Sequence, residues 1–327
     1  MYFRMSHPCT QSCSGSFLRP IKNGRLALLF ISVSMGALAQ ESVDFHYNPP
    51  VGTTYEVAFE AVQKRSMSDG EEDKSQTENI LIKKTVSIEK VDEGWIEHHD
   101  VKSLEMYRNG QFVNNPLINA TLKRSLQYHI SANGEMQDVT GYEGVLTELQ
   151  GALPDKVMNR ISHVLKPENL KIRDIVEWNG RFGGLAGQTK EIGSTEVKTV
   201  PQQLPSGDLV EFETATHFVG WEDCGDKQCF RIELTYNGDL QKAAEKMLEQ
   251  THKMTEMLRD EGSGQAAPEQ VGALIEGKTT LILDPETMLP YREQQDRFLR
   301  MITDLPGLGR VPVEQSSRKT ITYSYPH

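Results

Sequence analysis

The sequence predicts an α+β fold: an antiparallel, hairpin-rich sheet packed on a few helices. Three observations carry this reading. Apolar and polar residues alternate in several separate stretches, as in Tyr55, Val57, Phe59 and Ala61 against Glu56, Ala58 and Glu60, the period-two pattern of a half-buried strand. Turn dipeptides such as Asn109-Gly110 and Asn133-Gly134 punctuate those stretches, as hairpins require. Helical spacing is confined to a few segments between strand groups, which argues for antiparallel sheet and against a parallel βαβ arrangement.

Taken in order, Gln40 to Pro50 reads as a polar lead-in ending in Pro49-Pro50. A strand follows around Tyr55–Ala61. Residues 65–78 are almost wholly polar and read as a mobile loop. Ile80, Ile82, Val86 and Ile88 resume the alternation as far as Val91, Asp92-Glu93-Gly94 turns, and Trp95 opens a strand to about Tyr107. Leu126 to Val139 is expected to be a hairpin around Asn133-Gly134. Val145, Leu146 and Leu149, then Val157, Ile161, Val164 and Leu165, predict two short helices separated by Gly151 to Pro154, with Pro167 stopping the second. Strands return around Asp174–Trp178 and from Leu209. The longest helix is expected from about Asp239 to Arg259. Leu240, Ala243, Ala244, Met247, Leu248, Thr251, Met254 and Leu258 share one face of it, and Asp239 caps it after an Asn237-Gly238 turn. A last hairpin turns at Asp284-Pro285-Glu286-Thr287, where Pro suits the second turn position. Ile321, Tyr323 and Tyr325 close the chain as a strand.

The first 39 residues have the layout of a secretory leader. Arg19, Lys22 and Arg25 precede an apolar run from Leu26 to Leu38, and Ala37-Leu38-Ala39 ends it as a small-x-small site. Cleavage is expected between Ala39 and Gln40, with translation starting at Met1, Met5 or elsewhere. The apolar run is shorter than the about 20 residues of a spanning helix, and no later segment is apolar enough to span a bilayer. Cys9 and Cys13 precede the run, which argues against lipid attachment at the new N-terminus. The expected localisation is periplasmic or extracellular. The organisation is then a leader at 1–39, a lead-in at 40–52 and a β-rich region at 53–326, as one body or as halves of about 53–170 and 171–326.

The whole chain carries 35 Lys and Arg against 46 Asp and Glu. The leader holds four of the basic residues (Arg4, Arg19, Lys22, Arg25) and no acidic one, so the mature chain has 31 against 46, a net charge of −15. Such a surface repels nucleic acid, whose binding rests on Lys and Arg displacing counterions, and it is poorly matched to anionic lipid surfaces.

Only Cys224 and Cys229 remain after cleavage. They flank Gly225-Asp226-Lys227-Gln228 between two extended stretches, and a surface disulfide across this hairpin is expected in an oxidising compartment. With Cys224 opposite Cys229, Glu222 faces Arg231, Trp221 faces Ile232, Val219 faces Leu234 and His217 faces Tyr236, which sorts charges and apolar residues onto separate faces. The C-x4-C spacing does not match a redox or zinc knuckle.

No catalytic or cofactor signature emerges. Glu97-His98-His99-Asp100 is the densest set of metal-ligating types, but a strand puts His98 and Asp100 on one face and Glu97 and His99 on the other. Neither pair reaches the three or four ligands of a zinc site, so His98, His99 and Asp100 are weak metal candidates that need a remote ligand. Gly180 to Gly187 lacks the Gly-Lys-Ser/Thr of a phosphate loop. Gly262-Ser263-Gly264 lacks the strand–turn–helix setting of a nucleophile elbow. No cofactor is expected.

Amphipathic strands with helices set between them, over residues 50–326, resemble the periplasmic lipoprotein-carrier type of half-barrel. The opening Gly52-Thr53-Thr54-Tyr55 is similar to the first strand of exported β-rich bacterial proteins. The resemblance implies a curved sheet wrapped around helices and enclosing an apolar cavity. Three functions follow as expectations. The first is an exported non-enzymatic binding protein for an apolar small molecule or an envelope protein. The second is an exported metal-assisted hydrolase using His98 and His99, and the third a structural envelope component.

Overall fold

A computed structural model describes residues 41–326, apart from 69–72, 204–208, 226, 240–268 and 306–308. The expected leader and its expected Ala39/Gln40 cleavage junction lie outside the described residues, as does the expected helix beyond Asp239.

The described chain opens with β1 (Ser42–Asp44), then β2 (Thr54–Ser68), β3 (Asp73–Val91) and β4 (Gly94–Arg108) run as an antiparallel meander. A short β5 (Gln111–Phe112) folds back on β4. Helix α1 (Pro116–Leu122) follows, its N-terminus capped by the Asn115 Oδ1, which accepts from the Leu117 and Ile118 amides at 3.0 and 3.3 Å. Then come the hairpin β6 (Leu126–Ser131) and β7 (Met136–Thr140), and helices α2 (Val145–Gln150), α3 (Asp155–Ile161) and α4 (Pro167–Trp178). A π-helical turn, Asn179–Gly183, extends α4. The rest is strand: β8 (Thr189–Glu191), β9 (Thr195–Gln203), β10 (Leu209–Asp223), β11 (Gln228–Asp239), β12 (Glu269–Leu283), β13 (Pro290–Leu305) and β14 (Gly309–Ser324).

Twelve of these strands form one antiparallel sheet in the order β7-β6-β4-β3-β2-β14-β13-β12-β11-β10-β9, with β5 beside β4. The sheet is large, curved and open, not closed into a barrel. First and last long strands pair at its middle, with Phe59 opposite Ile321 and Val57 opposite Tyr323, so both sequence ranges, 53–170 and 171–326, contribute to one continuous sheet.

Several expectations are corrected here. Residues 65–68 and 73–78 are strand, not loop: Arg65 pairs with Gln76 and Met67 with Lys74 as the arms of a long hairpin, whose connection at 69–72 lies outside the described residues. Their polar composition reflects two solvated faces rather than missing structure. Asp174–Trp178 is the end of α4, not a strand, because Pro167 starts a helix at its first position, where no amide is lost. Asn237 and Gly238 are paired with Glu276 and Ile275 within β11 and β12 instead of turning.

The lead-in, read as polar, also contributes to the core. Val43, Phe45 and Tyr47 alternate inward and are buried in the main core. β1 pairs with β8, and the Phe45 amide donates to the Gln188 carbonyl at 3.0 Å. Phe45 packs edge-on to Phe230, ring centres 5.6 Å apart. Tyr47 fits over Gly134, where a Cβ would come within 2.8 Å of the Tyr47 Cβ. The hairpin glycine, at φ +83°, thus serves both the turn and the packing.

The cysteine hairpin forms with a different register. Glu222 faces Cys229, Trp221 faces Phe230, and Phe218 faces Ile232, with Val219 bulged and Gly220 at φ +139°. The bulge re-aims the strand so that Phe218, fully buried, enters the core in place of Val219. Glu222 and Arg231 still approach to 3.6 Å, diagonally. Cys224 and Cys229 are disulfide-bonded with Cα atoms 5.8 Å apart. Cys229 is fully buried, so the bridge is not purely a surface feature.

Candidate functional site

The inner face of the sheet is built in rows by strand register. Ile321, Phe59 and Ile82 lie side by side on β14, β2 and β3. The next row is Tyr323, Val57, Lys84 and Val101, and the next Tyr55, Val86, His99 and Leu126. A bulge on β4 between Val101 and Ser103 resets the alternation there. Opposite this face stand α1, α4 and the π-helical turn. Between them lies a cavity of about 450 Å³, within the ordinary range for small-molecule sites. Apolar side chains, among them Val57, Phe59, Ile82, Leu126 and Ile321, share its walls with charged ones.

Two polar networks project into this space. In the first, Glu97 is 2% exposed and His99 6%. The Tyr47 hydroxyl donates to Glu97 Oε1 at 2.9 Å. His99 Nε2 meets Glu97 Oε2 at 2.9 Å, and His99 Nδ1 meets Lys84 Nζ at 2.9 Å. An ammonium can only donate, so Nδ1 accepts and Nε2–H donates to the carboxylate. His99 is therefore neutral and sits as a spacer between Lys84 and Glu97. Burial, then the Lys84 charge, lowers its pKa to about 4. The ring stacks on Tyr128 with centres 4.2 Å apart. Lys84 is half-buried by exposure because it borders the cavity, yet its flanks are Val57 and Val101. Burial accordingly lowers its pKa to about 8, with Glu97 opposing that shift.

The second network ties the helix layer to the sheet. Arg181 Nη1 meets Glu293 Oε2 at 2.5 Å, and its Nη2 meets Glu177 Oε1 at 2.9 Å. Lys319, from β14, reaches Glu177 at 3.3 Å and Glu293 at 3.7 Å. Glu293 is 1% exposed, so its charge is matched almost wholly by these two cations. Lys319 and Arg181 hold Glu177 well below the usual carboxylate range.

Local sequence explains the placement of these groups. The π-helical turn carries Arg181 toward Glu293. The Asn179 side chain fixes that turn to β7 by accepting from the Met136 amide at 2.8 Å and donating to the Met136 carbonyl at 3.1 Å. Trp178 Nε1 donates to the Gly134 carbonyl at 3.0 Å. Tyr142 donates to Asp174 at 2.5 Å, a carboxylate that also pairs with Arg173.

The metal candidates are distributed as the strand pattern requires. His99 points inward with Glu97. His98 points outward, 3.4 Å from Glu89, and Asp100 accepts from the Ser125 hydroxyl at 2.7 Å. Among the described residues, no group of three or more His, Cys, Asp or Glu side chains is placed to hold a metal ion. Sequence reasoning paired Glu97 with His99 but missed Lys84, Arg181, Glu293 and Lys319. Inward parity on an alternating strand was the available signal for Lys84, since it shares its face with Ile82 and Val86.

Among the described residues, no helix is long and apolar enough to cross a membrane. No protein-family model matches the chain, and no curated protein matches it. Three solved structures show some likeness. A chain from a structure of lipid–protein interactions in lipovitellin aligns at 10% identity and TM-score 0.42, covering 86% of this chain and 26% of that one. A putative outer membrane lipoprotein-sorting protein domain from Vibrio parahaemolyticus aligns at 9% identity and TM-score 0.17, covering 82% and 85%. An outer membrane channel from Pseudomonas putida F1 aligns at 10% identity and TM-score 0.17, covering 85% and 97%. The chain thus spans about a quarter of the lipovitellin chain, and at such scores none of the three bears on what the cavity holds.

Proposed function

We propose that this is an exported, non-enzymatic binding protein that holds a small molecule with an apolar tail between its curved sheet and its helices. The observation that carries this reading is the cavity of about 450 Å³ walled by Val57, Phe59, Ile82, Leu126 and Ile321. A core meant only for stability fills such space, because interiors pack to the density of organic crystals and a void forfeits contacts on every side. The leader and the Cys224–Cys229 disulfide support an oxidising compartment outside the cytoplasm. The polar groups on the cavity wall are engaged in hydrogen bonds and ion pairs with one another, Lys84 through the neutral His99 alone, and neither network presents a nucleophile beside a free base.

The test uses mature protein purified from its own host. Native mass spectrometry followed by solvent extraction is expected to find one lipid-like molecule per chain, or an emptied chain that takes up added hexadecanol with saturable 1:1 binding. A chain that carries nothing and binds no hexadecanol overturns the reading.

A further inference from the structure

Among the described residues, five cations border the cavity: Lys84, Arg124, Arg173, Arg181 and Lys319. Four have a carboxylate of their own. Arg124 meets Glu148 at 2.8 Å, Arg173 meets Asp174 at 3.1 Å, and Arg181 and Lys319 share Glu177 and Glu293. Lys84 differs. Its partner is the neutral His99, and among the described residues no carboxylate lies within ion-pair distance of its ammonium. Glu97 balances it only across the width of an imidazole. An ammonium has three N–H donors, and among the described residues one is spent, on His99. Valines flank it on both neighbouring strands, so the charge sits in a setting of low dielectric, where an added counter-charge is worth far more than in water.

We infer that the cavity selects an amphiphile with an anionic head, a carboxylate or a phosphate monoester, seated on Lys84 with its tail along Val57, Phe59, Ile82 and Ile321. This deepens the proposed function and rests on it. The placement is unexpected from composition, since the chain as a whole has a net charge of −11. Lys84 stands one row from the Ile321–Phe59–Ile82 row on the same face, so head and tail positions are contiguous. A carboxylate or phosphate oxygen would accept the unspent donors and give the half-buried ammonium a direct counter-ion, a charge-assisted contact stronger than a neutral one.

Isothermal titration of the mature protein with palmitate, hexadecyl phosphate, hexadecanol and hexadecylamine, each below its aggregation threshold, tests this. Palmitate, hexadecyl phosphate or both are expected to bind at least about tenfold tighter than hexadecanol, equivalent to about 1.4 kcal/mol, and hexadecylamine weaker than hexadecanol. In Lys84→Gln, which keeps a donor for His99 and removes the charge, the anion-to-alcohol ratio is expected to fall toward one. The ratio in the wild-type protein decides the matter even if that variant fails to fold. Equal binding of anion and alcohol, or a preference unchanged in a folded Lys84→Gln, overturns the head-group inference and leaves the cavity reading standing. Absence of binding by all four ligands overturns both.

Discussion

The two polar networks that face the cavity solve the same problem in different ways. Around Arg181, two cations and two carboxylates touch directly, and Glu293 is sealed from solvent by Arg181 and Lys319. Around His99, one cation and one carboxylate are held apart by a neutral ring. Direct pairing spends all of the electrostatic attraction on the fold and ties α4 to the sheet. Pairing at one imidazole's remove leaves the ammonium incompletely matched, which costs stability but leaves an attractive position for something else. The difference teaches where to look for structure and where for binding: the first network is a rivet, the second a seat.

Breaking the rivet is expected to have the largest effect. Arg181→Met leaves Glu293 buried beside Lys319 alone, and the loss of a partner from a buried pair costs about 3–5 kcal/mol. Urea unfolding would show it as a lower midpoint, and a loss under about 1 kcal/mol would mean that the pair is not sealed from water. Next comes acid sensitivity of the seat. The pKa of His99 is about 4 in the folded chain against 6.5 free, so the unfolded chain binds more protons between these values and stability falls as pH drops from 6.5 to 4, by roughly 3 kcal/mol. His99→Gln, which can still donate to Glu97 and accept from Lys84, should flatten that part of the pH profile of unfolding. Lys84 has the same sign in its own window: its folded pKa of about 8 lies below 10.5, so stability rises between pH 8 and 10.5.

Smaller again is Tyr47→Phe. It removes one donor from Glu97, and a buried charged acceptor deprived of one hydrogen bond costs about 1–3 kcal/mol; thermal unfolding would measure it. Smallest is Arg108→Ala at the exposed Arg108–Glu78 pair, 2.8 Å long with the Arg side chain 45% exposed. Exposed pairs are worth about 1 kcal/mol or less, so a change as large as that of Arg181→Met would erase the contrast between buried and exposed pairing.

Much of the sheet was legible because its strands bury one face. Tyr55–Ala61, Ile80–Val91 and the Asn133-Gly134 hairpin all advertise themselves by alternation and turn chemistry, and the structure places β2, β3, β6 and β7 there. Where both faces meet solvent the alternation vanishes, and residues 65–78 looked like a loop although 65–68 and 73–78 are strand. Pro167 is ambiguous in sequence, since the same ring that ends one helix can begin another. Val43, Phe45 and Tyr47 do alternate, but only contact with Phe218, Phe230 and Trp95 reveals them as core.

The site was legible in part. Glu97 and His99 share a face by strand parity alone. Arg181 and Glu293 are 112 residues apart, and only the fold brings them together. Which cavity cation lacks its own carboxylate cannot be read from a chain with 46 acidic residues, because proximity in space decides it.

The most direct test of the cavity as a ligand site is photo-crosslinking. A hexadecanol analogue with a diazirine near the end of its tail would be bound to the protein, irradiated and mapped by peptide mass spectrometry. Saturable labelling of the segments around Phe59, Ile82 and Ile321, competed by unlabelled hexadecanol, is the expected result. Labelling confined to outward-facing positions of the long strands, or labelling that hexadecanol does not compete, would contradict it.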